Sequence, residues 1–175
     1  MKKILVIAML VVMVVSALAG CSAADTKTGV GSVISIAKSK SATAEAAGQG
    51  QADVVMAAVT VDKDGKILKV SIDTAQVKIP FDATGTVTAD LTAELKTKKE
   101  LGDAYGMKKN SGIEKEWYEQ IAALEAWMIG KTVAEVKALE VNADGDVTEA
   151  DLVSSVTISV GDYLEVVEKA VNNAK

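Results

Sequence analysis

The only cysteine of the chain, Cys21, stands near its start, directly behind an apolar leader, and no histidine or arginine occurs anywhere in the 175 residues. Whatever folds behind Cys21 has no disulfide to close its loops and no Cys or His ligands to organise it around zinc. Its stability has to come from burying apolar side chains, and residues 21–175 are long enough to do this in one ordinary domain. The same absences remove Ser-His-Asp catalysis, thiol redox chemistry, c-type haem attachment and bidentate arginine clamps on phosphate. A formal charge of −5 argues against nucleic acid as a partner, and loss of Lys2 and Lys3 with the leader makes the remainder more acidic still. Carboxylates, lysines, hydroxyls, backbone amides, a metal held by oxygen atoms or a borrowed cofactor are left to carry any chemistry.

The leader has three parts. Lys2 and Lys3 make it basic, residues 4–15 are almost unbroken apolar sequence, and Leu18-Ala19-Gly20-Cys21 closes it with small residues. The apolar run falls short of the roughly 18–20 residues that span a bilayer, and no basic stop-transfer cluster follows. Those four closing residues resemble a lipobox. The resemblance implies that residues 1–20 are a lipoprotein signal peptide and that Cys21, acylated after cleavage, becomes the new N-terminus. The protein is then expected at the cell membrane, lipid-anchored and facing outside the cytoplasm, with the membrane as its partner through two-chain anchoring.

Residues 21–51 read as a tether, except that residues 30–36 alternate in the manner of a possible first strand. Residues 52–61 and 67–72 are β-rich runs joined by Asp62-Lys63-Asp64-Gly65-Lys66, whose Asp-Gly pair predicts a hairpin. Residues 77–81 and 86–88 flank a second turn at Asp82-Ala83-Thr84-Gly85, and Pro80 marks an edge strand or a bulge. A glycine-punctuated loop over residues 101–112 precedes a helix expected at 113–128, with Trp117, Ile121, Leu124 and Met128 on its apolar stripe and Gly130 as its stop. Thr132 and Glu135 form a capping box for a short helix to Leu139, and a last helix over 161–173 carries Leu164, Val167 and Val171 on one stripe. Strands first and helices later predict an α+β fold: an antiparallel sheet built from N-terminal hairpins with C-terminal helices packed on it. The segments 83–88 and 143–148 share the form A-x-G-x-V-T, which local turn chemistry produces without any duplication.

Two candidate sites overlap near the end of the chain. In the first, Asn142, Asp144, Asp146 and Asp151 surround Gly145 much as ligands surround the glycine of an EF-hand-like calcium loop, and the segment resembles a single dockerin repeat. Its first position is Glu140 rather than Asp, and no second repeat is present. The second candidate is Asp151-Leu152-Val153-Ser154-Ser155-Val156-Thr157, just ahead of the last helix. It resembles the flavinylation motif of FMN-binding domains, Asp-x-x-Ser/Thr-Gly-Ala-Thr/Ser, with Ser155 and Val156 replacing the glycine and alanine. The Asp62–Lys66 hairpin and the order of elements after it are similar to that family as well, so the resemblance covers residues 52–175. It implies FMN, linked by a flavin transferase to the Thr157 hydroxyl with Asp151 and Ser154 in the motif, and an electron carrier that meets redox partner proteins rather than an enzyme with its own substrate. Walls for such a flavin are expected from Tyr105, Lys108 and Lys109 of the loop and from the helix bearing Trp117, Tyr118 and Trp127. The alternatives are a surface lipoprotein of the same fold that has lost its flavin, and a calcium-binding module.

If Cys21 carries the anchor, Cys21→Ala abolishes metabolic labelling with a fatty-acid analogue and leaves the protein uncleaved or released; labelling that survives the substitution excludes it.

Overall fold

The computed structural model describes residues 25–175, so Cys21 and the leader lie outside the described residues. Three antiparallel strands, β1 (Lys27–Ser35), β2 (Gly48–Val61) and β3 (Ile67–Phe81), form one sheet in the order β1-β2-β3. A short helix α1 (Lys98–Leu101) and two 3-10 turns, Gly102–Tyr105 and Lys108–Asn110, lead to α2 (Trp117–Met128), followed by α3 (Val133–Lys137) and α4 (Gly161–Asn172). The fold is α+β, with the C-terminal helices on one face of the sheet. Among the described residues no helix is long and apolar enough to cross a membrane.

Strand alternation decides which face is covered. Val55, Ala57, Val59 and Val61 of β2 and Ile67 and Ile72 of β3 point inward and are buried with Trp117, Ile121, Leu124 and Met128 of α2 and Val166, Val167 and Ala170 of α4. Residues 67–72 and 77–81, which look like separate strands in the sequence, are one continuous strand whose whole length pairs with β2. Pro80 lies on this edge strand, and its carbonyl accepts from Thr88 N on the side away from β2, where the missing proline N–H costs no ladder bond. Farther along that edge, Ile67 N donates to Lys131 O at 2.9 Å and Ile72 N to Glu125 Oε1 at 2.6 Å.

The opposite edge depends on two glycines. A Cβ on Gly31 would stand 2.5 Å from Val166 O, and one on Gly29 would overlap Ala170 O, so α4 rests on the bare backbone of β1. Asn173 Nδ2 then reaches Val30 O at 3.0 Å, and Thr28 and Lys175 exchange backbone bonds, which satisfies this edge with the end of the chain.

Three turns share one construction. Asp62, Asp82 and Asn142 each accept, through Oδ1, the amides two and four residues onward, at 2.8–2.9 Å. In each, the glycine three residues onward has a left-handed φ between 77° and 87°. The A-x-G-x-V-T echo is therefore the imprint of one turn type used repeatedly. Several boundaries differ from expectation: β1 begins at Lys27 rather than at 30, and β2 at Gly48 rather than at 52, because each strand continues as far as its neighbour supplies a partner. Helix α2 starts at Trp117, not at 113, because Glu114 has a φ of 53° that a helix does not accommodate. Helix α1 arises at a capping box, Thr97 with Glu100, that the lysine-rich segment obscures.

Filling the helix–strand contact should unseat α4: Gly31→Ala is expected to lose about 1–3 kcal/mol in chemical denaturation. Gly50→Ala, whose Cβ meets nothing nearer than 3.9 Å, should change stability little.

Candidate functional site

A carboxamide with no exposure to solvent connects the second candidate site to the loop. Gln120 occupies the apolar stripe of α2, one step before Ile121, and is 0% exposed. Its Oε1 accepts from Thr157 N at 2.8 Å and from Thr157 Oγ1 at 3.2 Å. Its Nε2 donates to Ser111 Oγ at 3.0 Å and to Lys115 O at 3.4 Å. Thr157 N can only donate and Lys115 O can only accept, so the orientation of the amide is fixed by its partners. Thr157 is exposed while its neighbour Val156 is fully buried, so the core holds the backbone and Gln120 holds the hydroxyl.

The loop before α2 is folded around another buried acid. Glu116, 4% exposed, accepts Met107 N at 2.8 Å through Oε2 and Lys108 N at 3.1 Å through Oε1. Glu119 Oε2 in turn accepts Glu116 N at 2.8 Å. The loop wrapped on this carboxylate forms one side of a cleft of about 700 Å³ lined by Lys108, Lys109, Ser111, Gly106, Asp103 and Glu114, among others. That volume lies in the range of small-molecule sites. A second depression, about 560 Å³, runs past Asp103, Tyr118, Lys99 and Glu125. Tyr118 donates to Asp103 Oδ1 at 3.1 Å, and this bond to a carboxylate, with its negative charge, raises the phenol's pKa above its ordinary value.

Lys108 and Lys109 thus line the cleft with Ser111, and Ser111 is bound to the same amide as Thr157. Tyr105 is half-buried and turned toward α1, where Lys98 Nζ sits 4.9 Å from its ring and 5.2 Å from that of Trp117. Trp117 belongs to the core, with Nε1 donating to Tyr163 Oη at 2.9 Å, so it offers no free face to a ligand. Trp127, half-buried, bonds Glu149 and lies under Lys131. Asp151 and Ser154 sit exposed on the turn ahead of Thr157. Ser155, in the glycine position of the motif, has no left-handed φ; among the described residues only Glu114 does so without being glycine.

The calcium candidates are not brought together. Asn142 Oδ1 is taken by the amides of Asp144 and Asp146, and its Nδ2 approaches Asp146 Oδ2 at 3.3 Å. A Cβ on Gly145 would stand 2.5 Å from Ser159 Oγ, and Asp146 pairs with Ser159 as an isolated bridge. Among the described residues no group of three or more His, Cys, Asp or Glu side chains is placed to hold a metal ion. The acidic, amide-rich spacing that resembles an EF-hand is here the chemistry of an Asx-type hairpin turn, the same as at Asp62 and Asp82.

Gln120, Glu116 and Lys98 are absent from the sequence-derived site. A glutamine inside an apolar helical stripe is a readable signal, because a buried carboxamide needs partners; nothing local marks Glu116 or Lys98.

No family model matches the chain, and no solved structure matches it. It is 36% identical over 96 residues to a protein of Desulfitobacterium hafniense named chlorophenol reductase. The match covers 49% of this chain and 29% of that protein, so the chain spans well under two thirds of the length of its relative.

Removing the carboxamide should strand its partners. Gln120→Leu is expected to lower stability by about 1–3 kcal/mol and to speed hydrogen exchange at the Thr157 amide; unchanged exchange there would show that the bond is not formed in solution.

Proposed function

We propose that this protein is a lipid-anchored, extracytoplasmic electron carrier that holds FMN through a phosphoester to Thr157. The observation that carries the reading is the setting of Thr157: an exposed hydroxyl, at the end of an Asp-x-x-Ser-x-x-Thr motif, held by a buried amide that also binds the wall of a lysine-bearing cleft. Support for the group comes from Lys108 and Lys109, the cations of a cleft that also holds Asp103, Glu114 and the amide-bound Glu116; in a chain without arginine they are the side chains placed to meet a phosphate, and the cleft volume is adequate for a ring system. Bound flavin supplies reversible one- and two-electron transfer to a chain that has neither a thiol pair nor the Cys and His ligands that hold most redox metals. The chain's own part is to present the Thr157 oxygen, fix the phosphate end and keep the ring beside a stable framework. Similarity to a protein named for a reduction supports a redox role, while the short span of that similarity carries no substrate across. The anchor at Cys21 rests on the Leu18-Ala19-Gly20-Cys21 motif.

Co-expression with a flavin transferase should add one FMN less a water to the intact mass, and Thr157→Ala should prevent the addition with little loss of stability, since the side chain is exposed. Wild-type protein of unmodified mass excludes covalent flavin. If free FMN then shows no saturable quenching on titration, the flavin-free envelope protein is the remaining reading.

A further inference from the structure

Helices α2 and α4 cover one face of the sheet, and only α1, through Lys99 at Ser71 and Asp73, touches the β3 border of the other. On the other, the strand registers place Val30, Ala58 and Ser71 in one row, Ser32, Met56 and Asp73 in the next, then Ile34, Val54 and Ala75, with Ala52 opposite Val77 and Gly50 opposite Ile79. Val30 and Ile34 are 63% and 67% exposed, and Ile36, just beyond β1, is 70% exposed. The face is mostly aliphatic, interrupted by Ser32, Ser71 and Asp73, with its open residues along β1 and at Ile79, and exposed apolar surface of this kind marks an interaction site. We propose that this sheet face lies on the lipid bilayer that holds the anchor. The inference rests on the acylation of Cys21 proposed above.

Three observations select lipid as the occupant. The first is reach. About six residues separate Cys21 from Lys27, where β1 begins, and such a tether spans roughly 20 Å at full extension. An anchored Cys21 therefore keeps the sheet next to the bilayer at all times. A sheet lying flat leaves that tether slack and brings β1 to the surface along its length. The second is charge. The register places one carboxylate on this face, Asp73, and its Oδ1 is already bonded to Thr74 N and Lys99 N. The exposed acids Glu135, Glu140, Asp144, Asp151, Asp162 and Glu165 belong to the helical layer, while Asp25, Glu45, Asp64, Asp90 and Glu94 lie in the segments before, between and after the strands, so the sheet face itself is the surface an anionic membrane repels least. The third is composition. Val, Ile, Ala and Met dominate the face, whereas both tryptophans and all three tyrosines, the usual anchors of protein interfaces, lie on the helical side. Flat docking turns Thr157 and the Lys108–Ser111 cleft toward the extracytoplasmic space, where a soluble partner can reach them.

The test uses the full-length, lipidated protein in vesicles of phosphatidylethanolamine and phosphatidylglycerol that carry nitroxide-labelled acyl chains. Acylation consumes the Cys21 thiol, so Ile34→Cys and, separately, Asp162→Cys each provide a single site for a fluorescent label. Quenching several-fold greater at Ile34→Cys than at Asp162→Cys is the expected result. Equal, weak quenching at both sites in lipidated protein overturns docking while leaving the anchor intact. Self-quenching between Ile34→Cys labels without quenching by lipid assigns the face to a second copy of the chain and overturns the proposal. Wild-type protein whose intact mass lacks the acyl groups overturns the anchor, and the docking inference with it.

Discussion

With no disulfide among the described residues, the last helix has to be held to the first strand by contact alone, and the contact is backbone against backbone at Gly29 and Gly31. It joins the two ends of the described chain, closes the β1 edge and fixes the axis of α4. The residues that enter α4 inherit that position: Val156 and Val160 are wholly buried, and Thr157 between them is carried to the surface opposite Gln120. A glycine pair near the start of the chain thus helps to determine where a hydroxyl near its end is presented. The second determinant is Gln120, which spends its whole hydrogen-bonding capacity on the loop at Ser111 and Lys115 and on Thr157. Burial makes this arrangement definite, because a carboxamide that lost either side would be left with unpaired polar atoms in an apolar core.

What could be read from the sequence follows the range of the forces involved. The hairpin at Asp62–Lys66, the stripe of α2, the Thr132 capping box and the course of α4 depend on residues a few positions apart, and the structure places them close to where the pattern puts them. Long-range consequences are what the pattern does not contain. The gap seen between residues 72 and 77 vanishes because β2 supplies a partner along the whole of β3. The buried state of Glu116 depends on Met107 and Lys108 folding back over it, and the role of Lys98 depends on Tyr105 and Trp117 arriving from either side. The loop at residues 140–151 is ambiguous in the sequence for a related reason. Asx-type turns and calcium loops draw on the same residues, Asp, Asn and Gly at short spacing, and only the direction of the side-chain oxygens separates them. At Asn142 the oxygen points back to its own backbone.

The departures from the flavinylation motif can be weighed in the same terms. A glycine is required where the backbone is left-handed or where another chain passes too close for a Cβ, and Ser155 meets the first condition no more than any ordinary turn residue does. Its amide donates to Leu152 O at 2.8 Å, as part of the short turn that begins at Glu149. Val156 in place of alanine adds two methyl groups on the inner side of the turn, where the residue is buried completely and joins the main core cluster. Val156 therefore adds its bulk to the core, while Ser154 and Thr157 stay exposed and Ser155 is half-exposed between them and the core. A larger core residue at 156 also stiffens the segment that presents Thr157, since a buried β-branched side chain has one strongly preferred rotamer in a close-packed interior. Whatever these two positions have lost, the Thr157 oxygen is presented from outside the segment itself, by the core beneath Val156 and by the bond from Thr157 N to Gln120, which does not depend on the hydroxyl proton.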